Sequence, residues 1–468
     1  MIKNVISVID GETGSCGKAK VIGEIATDPR IKLGAAITNC MPNAGHTFVD
    51  ERGVKMVFRN IPVSSVNRET DLFIGPGSAI DMEVFVDEYE RAKKYLGDRK
   101  IYVHELVPLI EERHKAHERA TIKSGSTFKG GNAASQEKLI REQKLKFFKT
   151  FKNAIVCGNE EWLDRVYRHL DNPFEYVLLE GAQGCDLSIN HSGNFPYTTC
   201  RNVSTAQMLA DCGISPERLL QTIMTIRPFP IRINNVTSSG EIIYSGGFGT
   251  GTELYWIEID IAYLYGGYPH KGMLQNFPHH LDTKLIKKYM THCPIEYLKQ
   301  LFGEDYKSVN PEFVGLEEAV ELERLYHKAK GNREYETKFL DLGMFDSEFP
   351  PNTIIDISEQ ASVTMKERRI ADLDIDRLRR NCKINTPSHL YLNFFQHLGY
   401  DYDGAKGNFQ DYHFDRYIRN YLDWLETETG VEICALGTGP KNGEKILKME
   451  PLRPIQKDLV YTETLKQK

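Results

Sequence analysis

The chain has 468 residues, 41% of them hydrophobic and 26% charged, with a formal net charge of −6. This is ordinary for a globular protein of one large domain or two to three smaller ones, and the negative balance argues against a nucleic-acid binder held by phosphate contacts. No run approaches the ~18 apolar residues of a membrane span; nine irregularly placed cysteines, with no CxxC pair, zinc spacing or signal peptide, read as reduced thiols in a cytoplasm.

The first predicted element is the apolar run VISVID (Val5–Asp10), followed by a glycine-rich turn with Lys18 and Lys20. That order reads as strand, phosphate loop and helix N-terminus, where backbone N–H groups and the helix dipole favour a phosphate. It is not a Walker A loop: Gly11 and Gly17 have one residue too many between them, and Ala19 replaces the Ser/Thr that would hold Mg²⁺. Next, Asn43 and Gly45 in MPNAGHTFV (Met41–Val49) make a tight turn before His46, and an imidazolium beside a phosphate loop can stabilise a transferring phosphoryl group.

Lys100–Val107, Asn153–Gly158 and Glu175–Gly181 are apolar runs of the kind that buried parallel strands show. Ser124–Arg141 reads as a Ser/Gly loop followed by a helix that carries Arg141, and taken alone the loop reads as flexible. Gln183 sits between glycines just after a strand, where open α/β sheets present ligand-binding loops. Between about Ser238 and Asn352 strand signals become sparse. The stretch holds a Gly/Tyr-rich part (Tyr244–Tyr268), charged helical patterns (Asp282–Leu301, Leu316–Lys330) and an acidic proline turn (Asp346–Asn352). The α/β pattern resumes at Ile354, with strands predicted in His389–Phe395 and Val431–Pro440. The expected fold is α/β, a mostly parallel central sheet flanked by helices. Residues 1–237 and 353–468 form the nucleotide-binding domain, and 238–352 form a large helix-containing insertion.

Five segments together resemble the adenylosuccinate synthetase family, a fold related to the P-loop NTPases. Gly14-Ser15-Cys16-Gly17-Lys18-Ala19-Lys20 matches its first loop, Gly-Asp-Glu-Gly-Lys-Gly-Lys. Asn43-Ala44-Gly45-His46-Thr47 matches its second signature, and Ser124–Arg141 its threonine loop. Glu180-Gly181-Ala182-Gln183-Gly184 with Pro196-Tyr197-Thr198-Thr199 matches a fourth, and Arg232-Ile233 falls on its Arg-Val pair. The resemblance implies that Lys18, His46 and Gln183 act at the purine O6. It implies that Asn43, Thr127, Thr199 and, across a homodimer interface, Arg141 bind the nucleotide phosphate, with Arg232 and Ile233 at the sugar. Gly14, Cys16, Gly17, Lys18 and Ala19, with Gly437, Thr438, Gly439 and Pro440, would hold the nucleoside triphosphate. Ser15 and the Gly45 carbonyl would face Mg²⁺.

Two departures point to one branch. Where the family has its aspartate base, Ser15 stands; a shorter side chain leaves room for the 2-amino group of guanine, as in the phage 2-aminoadenylosuccinate synthases. Where GTP-using members carry Lys-x-Asp, the chain has Phe394 and Gln396, which points to ATP or dATP. Ser362–Asp374 resembles the family's amino-acid loop: Thr364, Arg368 and Arg369 remain and Lys366 replaces an arginine; a basic helix start is the other reading of that segment. The expected activity is a ligase joining L-aspartate to dGMP in the cytoplasm, the host's if the chain is phage-encoded, with no nucleic-acid or membrane partner. An IMP-dependent adenylosuccinate synthetase and a non-catalytic nucleotide-binding homologue are the alternatives.

Overall fold

The computed structural model describes residues 1–122, 127–232, 235–236, 242–254, 368–399 and 402–455. The chain forms two compact units, Met1–Thr250 with Leu373–Lys468, and Gly251–Asp372. The helical patterns expected at Asp282–Leu301 and Leu316–Lys330 and the turn at Asp346–Asn352 lie outside the described residues.

In the larger unit the order begins β1 (Val5–Asp10), α1 (Lys18–Thr27), β2 (Leu33–Thr38), β3 (His46–Val49), β4 (Lys55–Phe58), β5 (Asp71–Ile74) and α2 (Met82–Leu96). It continues with β6 (Ile101–His104), α3 (Glu112–Thr121), α4 (Gly131–Leu139), β7 (Ala154–Cys157), α5 (Asn159–Leu170), β8 (Tyr176–Glu180), α6 (Thr205–Asp211) and β9 (Leu219–Ile226). Short strands follow at β10 (Ile231–Arg232), β11 (Asn235–Val236) and β12 (Ile242–Ile243). Within the smaller unit β13 (Glu253–Leu254) pairs antiparallel with β14 (Arg369–Ala371), and Glu253 and Arg369 form an ion pair at 2.6 Å. The larger unit then resumes with α7 (Ile375–Asn385), β15 (His389–Leu392), β16 (Gly407–Asn408), α8 (Arg416–Thr429), β17 (Ile433–Gly437) and β18 (Lys445–Leu447).

Eleven strands form the central sheet, in the order β16-β18-β17-β15-β9-β1-β8-β2-β5-β6-β7. Every neighbouring pair is parallel except β17 and β18. The architecture is therefore the α/β class expected. Strands β1, β2 and β8 read as continuous apolar runs because both sheet faces are covered. Ala36 and Leu178 join the core on one face, with residues of α1 and α2; Ala35, Ile37, Val177 and Leu179 join the core on the other, with Trp162, Val166 and Leu170 of α5. Those three α5 residues recur at four-residue steps, so one stripe of the helix meets the sheet. Helix starts carry local signals: the side chains of Asp81, Asp374 and Asp415 each accept an N–H of the first turn, caps worth about 1 kcal/mol each.

Two strands are shorter than their apolar runs suggest. Within His389–Phe395, β15 stops at Leu392; Phe394 adopts a left-handed backbone (φ 58°) and Phe395–His397 form a tight 3₁₀ turn. Within Val431–Pro440 only Ile433–Gly437 is strand. Both runs leave the sheet at its C-terminal edge.

His169 on α5 bridges Asp71 (Nε2–O 3.1 Å) and Glu175 (Nδ1–O 2.8 Å). Burial alone would lower its pKa; hydrogen bonds and attraction to the two carboxylates outweigh it and raise the pKa above the ordinary 6.5. A histidine whose folded pKa exceeds its unfolded one stabilises fully below the unfolded pKa, and that contribution is lost as pH rises through the folded pKa. Because Asp71 is half exposed the effect is about 1 kcal/mol or less. Urea midpoints measured from pH 5 to 8 should fall with pH at this site, and His169→Gln should flatten that component. An unchanged pH slope in the variant would show that the bridge carries none of it.

Candidate active site

The loops after β1, β8, β9, β15 and β17 leave the same edge of the parallel sheet, where ligands sit in open α/β folds. Their packing is close. A Cβ on Gly184 would lie 2.2 Å from the Glu12 carbonyl oxygen and 2.3 Å from the Gly14 nitrogen. Asn393 wedges between two loops: a Cβ on Gly17 would lie 2.8 Å from its Cγ and one on Gly437 2.3 Å from its Oδ1, while its Nδ2 donates to the Cys16 carbonyl at 2.8 Å.

The β1 loop folds around the buried Asp10. Oδ1 accepts from the N–H groups of Glu12 (3.0 Å) and Gly14 (3.3 Å), and Oδ2 from the Cys16 N–H (3.0 Å) and Lys18 Nζ (3.2 Å). Gly14, Ser15 and Gly17 take left-handed backbone (φ 103°, 60° and 77°), and the Ser15 side chain is exposed. Lys18 Nζ also donates to the Gln183 carbonyl at 2.7 Å. Lys20, singled out beside it in the sequence, faces elsewhere: it donates to the Glu444 carbonyl at 2.5 Å and pairs with Glu24 at 3.2 Å, bracing α1.

Gln183 is itself left-handed (φ 62°), a conformation a non-glycine residue holds only when its surroundings enforce it. Its Oε1 is buried and has no hydrogen-bond partner among the described residues; the same holds for Asn43 Oδ1 and Gln396 Oε1. Each is a buried acceptor suited to a ligand donor. His46 opens β3 and is buried, with Nε2 3.5 Å from Cys40 Sγ. Burial, helped by the Lys18 charge and opposed by Asp10, pushes its pKa down to about 3. The unliganded protein therefore holds a neutral imidazole there, which can donate through a neutral N–H or gain a proton once an anionic group arrives.

Beside the loop, burial lifts the Glu12 carboxyl to about 8; it accepts from the Arg227 N–H (2.9 Å) and the Cys16 thiol (3.4 Å). The buried Arg227 guanidinium lies 4.0 Å from the centre of the Phe394 ring and donates to the Ser15 carbonyl at 3.4 Å. Thr438 is fully buried, its hydroxyl on the Ala405 carbonyl, and Pro440 is exposed. Thr199 is half-buried, with its N–H on the Leu187 carbonyl.

Several expected site residues stand differently. Arg141 is not on a helix: α4 ends before it, and it takes the left-handed position (φ 59°) just past the helix. The N–H groups of Arg141 and Glu142 close that end on the carbonyls of Lys138 and Glu137. Arg141 and Thr127 are both exposed. Arg232 is buried and donates to the backbone carbonyls of Tyr197, Ser245 and Gly247, so its guanidinium braces the chain. Arg368 is half-buried in the smaller unit. Ile233, Thr364 and Lys366 lie outside the described residues. Sequence reasoning passed over Asp10, Glu12, Arg227 and Asn393; an acidic residue closing an apolar strand at the mouth of a phosphate loop was the signal for Asp10.

The family model of adenylosuccinate synthetase matches residues 8–156. The chain is 33% identical over 253 residues to the N6-succino-2-amino-2'-deoxyadenylate synthase of Vibrio phage phiVC8, covering 51% of this chain and 71% of that protein. To the enzyme of the same name from Cyanophage S-2L it is 31% identical over 249 residues, covering 51% and 67%. Its fold is similar to the solved structure of the Cyanophage S-2L succinoaminodeoxyadenylate synthetase bound to dGMP and to dATP as an energy donor, with a TM-score of 0.63, 20% identity and 96% of each chain covered.

The contact of Gly184 with the β1 loop yields a sharp expectation. Gly184→Ala should destabilise the protein by about 1–3 kcal/mol, because backbone atoms rather than a flexible side chain must give way. Denaturant midpoints measure it directly. A variant as stable as the wild type would mean that the two loops are not packed as described.

Proposed function

Since the chain belongs to the adenylosuccinate synthetase family, we propose that it is a ligase joining L-aspartate to C6 of dGMP, with ATP or dATP converted to its diphosphate and inorganic phosphate. Ser15 carries this reading. It occupies the loop position at which the family has an aspartate, and its side chain is exposed at the sheet edge. The names of the phage relatives support the same assignment. In the first step O6 of the purine takes the γ-phosphoryl group; in the second the aspartate amine attacks C6 and displaces phosphate. Lys18, the Gln183 amide and His46 are assigned to the charge that develops at O6.

Phe394 and Gln396 are assigned to the triphosphate base. An unpartnered buried acceptor on Gln396 suits the amino group of adenine, and a ring braced by Arg227 suits stacking. Asn43, Thr127, Thr199 and Ile233 are read as contacts to the dGMP phosphate and sugar, and Thr364, Lys366 and Arg368 as the grip on aspartate. Arg141 is read as reaching a neighbouring subunit's phosphate in a homodimer. Leu139 and Ile140, 80% and 68% exposed at the end of α4, support an interface there. Residues 238–352 are read as an insertion into the catalytic domain formed by 1–237 and 353–468.

Ser15 and Gly45 are exposed and offer a hydroxyl and a carbonyl oxygen. The described residues hold no cluster of three or more His, Cys, Asp or Glu that could cage a metal. This thin, hard donor set fits Mg²⁺ carried mainly by nucleotide phosphates and water. Such an ion would neutralise phosphoryl charge during transfer.

Phosphate release should be measured with dGMP, GMP and IMP, each with aspartate and ATP, and again with GTP replacing ATP. dGMP with ATP is expected to turn over, IMP to be poor and GTP inactive. Ser15→Asp should lower dGMP turnover, and Gln396→Asp should raise GTP use. A wild-type preference for IMP of tenfold or more in kcat/KM, ~1.4 kcal/mol, would overturn the guanine reading; equal use of GTP and ATP would remove Phe394 and Gln396 from base selection.

A further inference from the structure

We propose that Asp10 is a positioning residue that sets the direction of the Lys18 ammonium toward the reacting oxygen. The role assigned to Lys18 rests on the ligase reading above; the contact itself does not.

Asp10 is fully buried at the C-terminal end of β1. Its two oxygens carry four donors, two each: the N–H groups of Glu12 and Gly14 on Oδ1, the Cys16 N–H and Lys18 Nζ on Oδ2. A carboxylate offers about four lone-pair sites. With all of them engaged, Asp10 is not an available proton acceptor and does not replace the base missing at Ser15.

Its effect runs through Lys18. An ammonium has three N–H donors on a flexible stem and, unlike a guanidinium, no fixed direction of its own. Here two donors are committed, one to Asp10 Oδ2 and one to the Gln183 carbonyl. Both acceptors are rigid. Asp10 is locked by three backbone N–H groups, and the Gln183 carbonyl belongs to a left-handed residue held against the loop through Gly184. Two fixed bonds at a tetrahedral nitrogen determine where the third N–H points. A donor aimed in advance stabilises developing negative charge without reorganisation. Lys20, two residues on, has Glu24 as its carboxylate partner and does not compete for Asp10.

The test has two arms on the full-length protein. In the first, trace acetylation by an N-hydroxysuccinimide ester is read by peptide mass spectrometry. Asp10→Asn should raise modification of Lys18 about fivefold or more relative to Lys32, an exposed lysine just ahead of β2. Unchanged Lys18 labelling would overturn the proposal whatever the substrate. In the second arm, kcat and KM with dGMP, aspartate and ATP are measured for Asp10→Asn, Lys18→Ala and the double variant. Each single change should lower kcat by ~10²-fold, a loss typical of a positioned catalytic group, with KM for dGMP within about threefold. The double variant should be no worse than Lys18→Ala, because residues acting as one unit are non-additive. Multiplying losses would overturn the proposal, since a purely structural Asp10 would add its cost independently. If Asp10→Asn does not fold, Asp10→Glu, which keeps the charge and misplaces it by one methylene, enters both arms with the same directions of change. A wild type with no turnover of dGMP but normal labelling behaviour would refute the ligase reading and leave the Asp10–Lys18 contact supported.

Discussion

No side chain fits between the turn after β8 and the loop after β1. A Cβ on Gly181 would lie 2.6 Å from the Val8 carbonyl oxygen, and one on Gly184 would strike the backbone of Glu12 and Gly14. The rest of the site depends on this contact of backbone on backbone. It holds Gln183 in a left-handed conformation, brings the Gln183 carbonyl to Lys18, and leaves the Gln183 amide oxygen buried without a partner. The sheet supplies the frame, because β1 lies between β8 and β9 with all three parallel, so their following loops must emerge side by side.

Around that contact the protein uses buried carboxylates to hold backbone. Asp10 gathers three N–H groups of its own loop. Glu88 accepts from the N–H groups of Arg59, Asn60 and Ile61, and Glu180 from those of Val63 and Ser64. Burial lifts both glutamates to about 7. A buried carboxyl group is costly unless its oxygens are satisfied, and here each is satisfied by chain segments that otherwise lack regular partners. The segment between β4 and β5 is thereby tied to α2 through Glu88 and to β8 through Glu180. Neutral His46 and the Lys18 ammonium are held inside this polar interior, where low dielectric strengthens each interaction.

How much was readable in the sequence follows from the range of the interactions. The β1 run, the glycine loop and Gln183 between glycines were legible because parallel strands are apolar on both faces and their loops need glycine. The departures at Ser15, Phe394 and Gln396 were legible against the family pattern. Contacts between distant segments were not. Nothing local says that Asn393 packs between Gly17 and Gly437, that Lys20 reaches the Glu444 carbonyl, or that Arg232 spends its donors on backbone carbonyls. The end of α4 was missed because an arginine takes the left-handed position usually given to glycine, and the end of β15 because Phe394 does the same within an apolar run.

The central claim is that O6 of dGMP is phosphorylated and then leaves with the phosphate. The most direct measurement uses dGMP carrying ¹⁸O at O6, with aspartate and ATP, and follows the label by mass spectrometry of the released inorganic phosphate. The account predicts one ¹⁸O in each phosphate formed with product. Product formed with unlabelled phosphate, the ¹⁸O appearing instead in water, would contradict it.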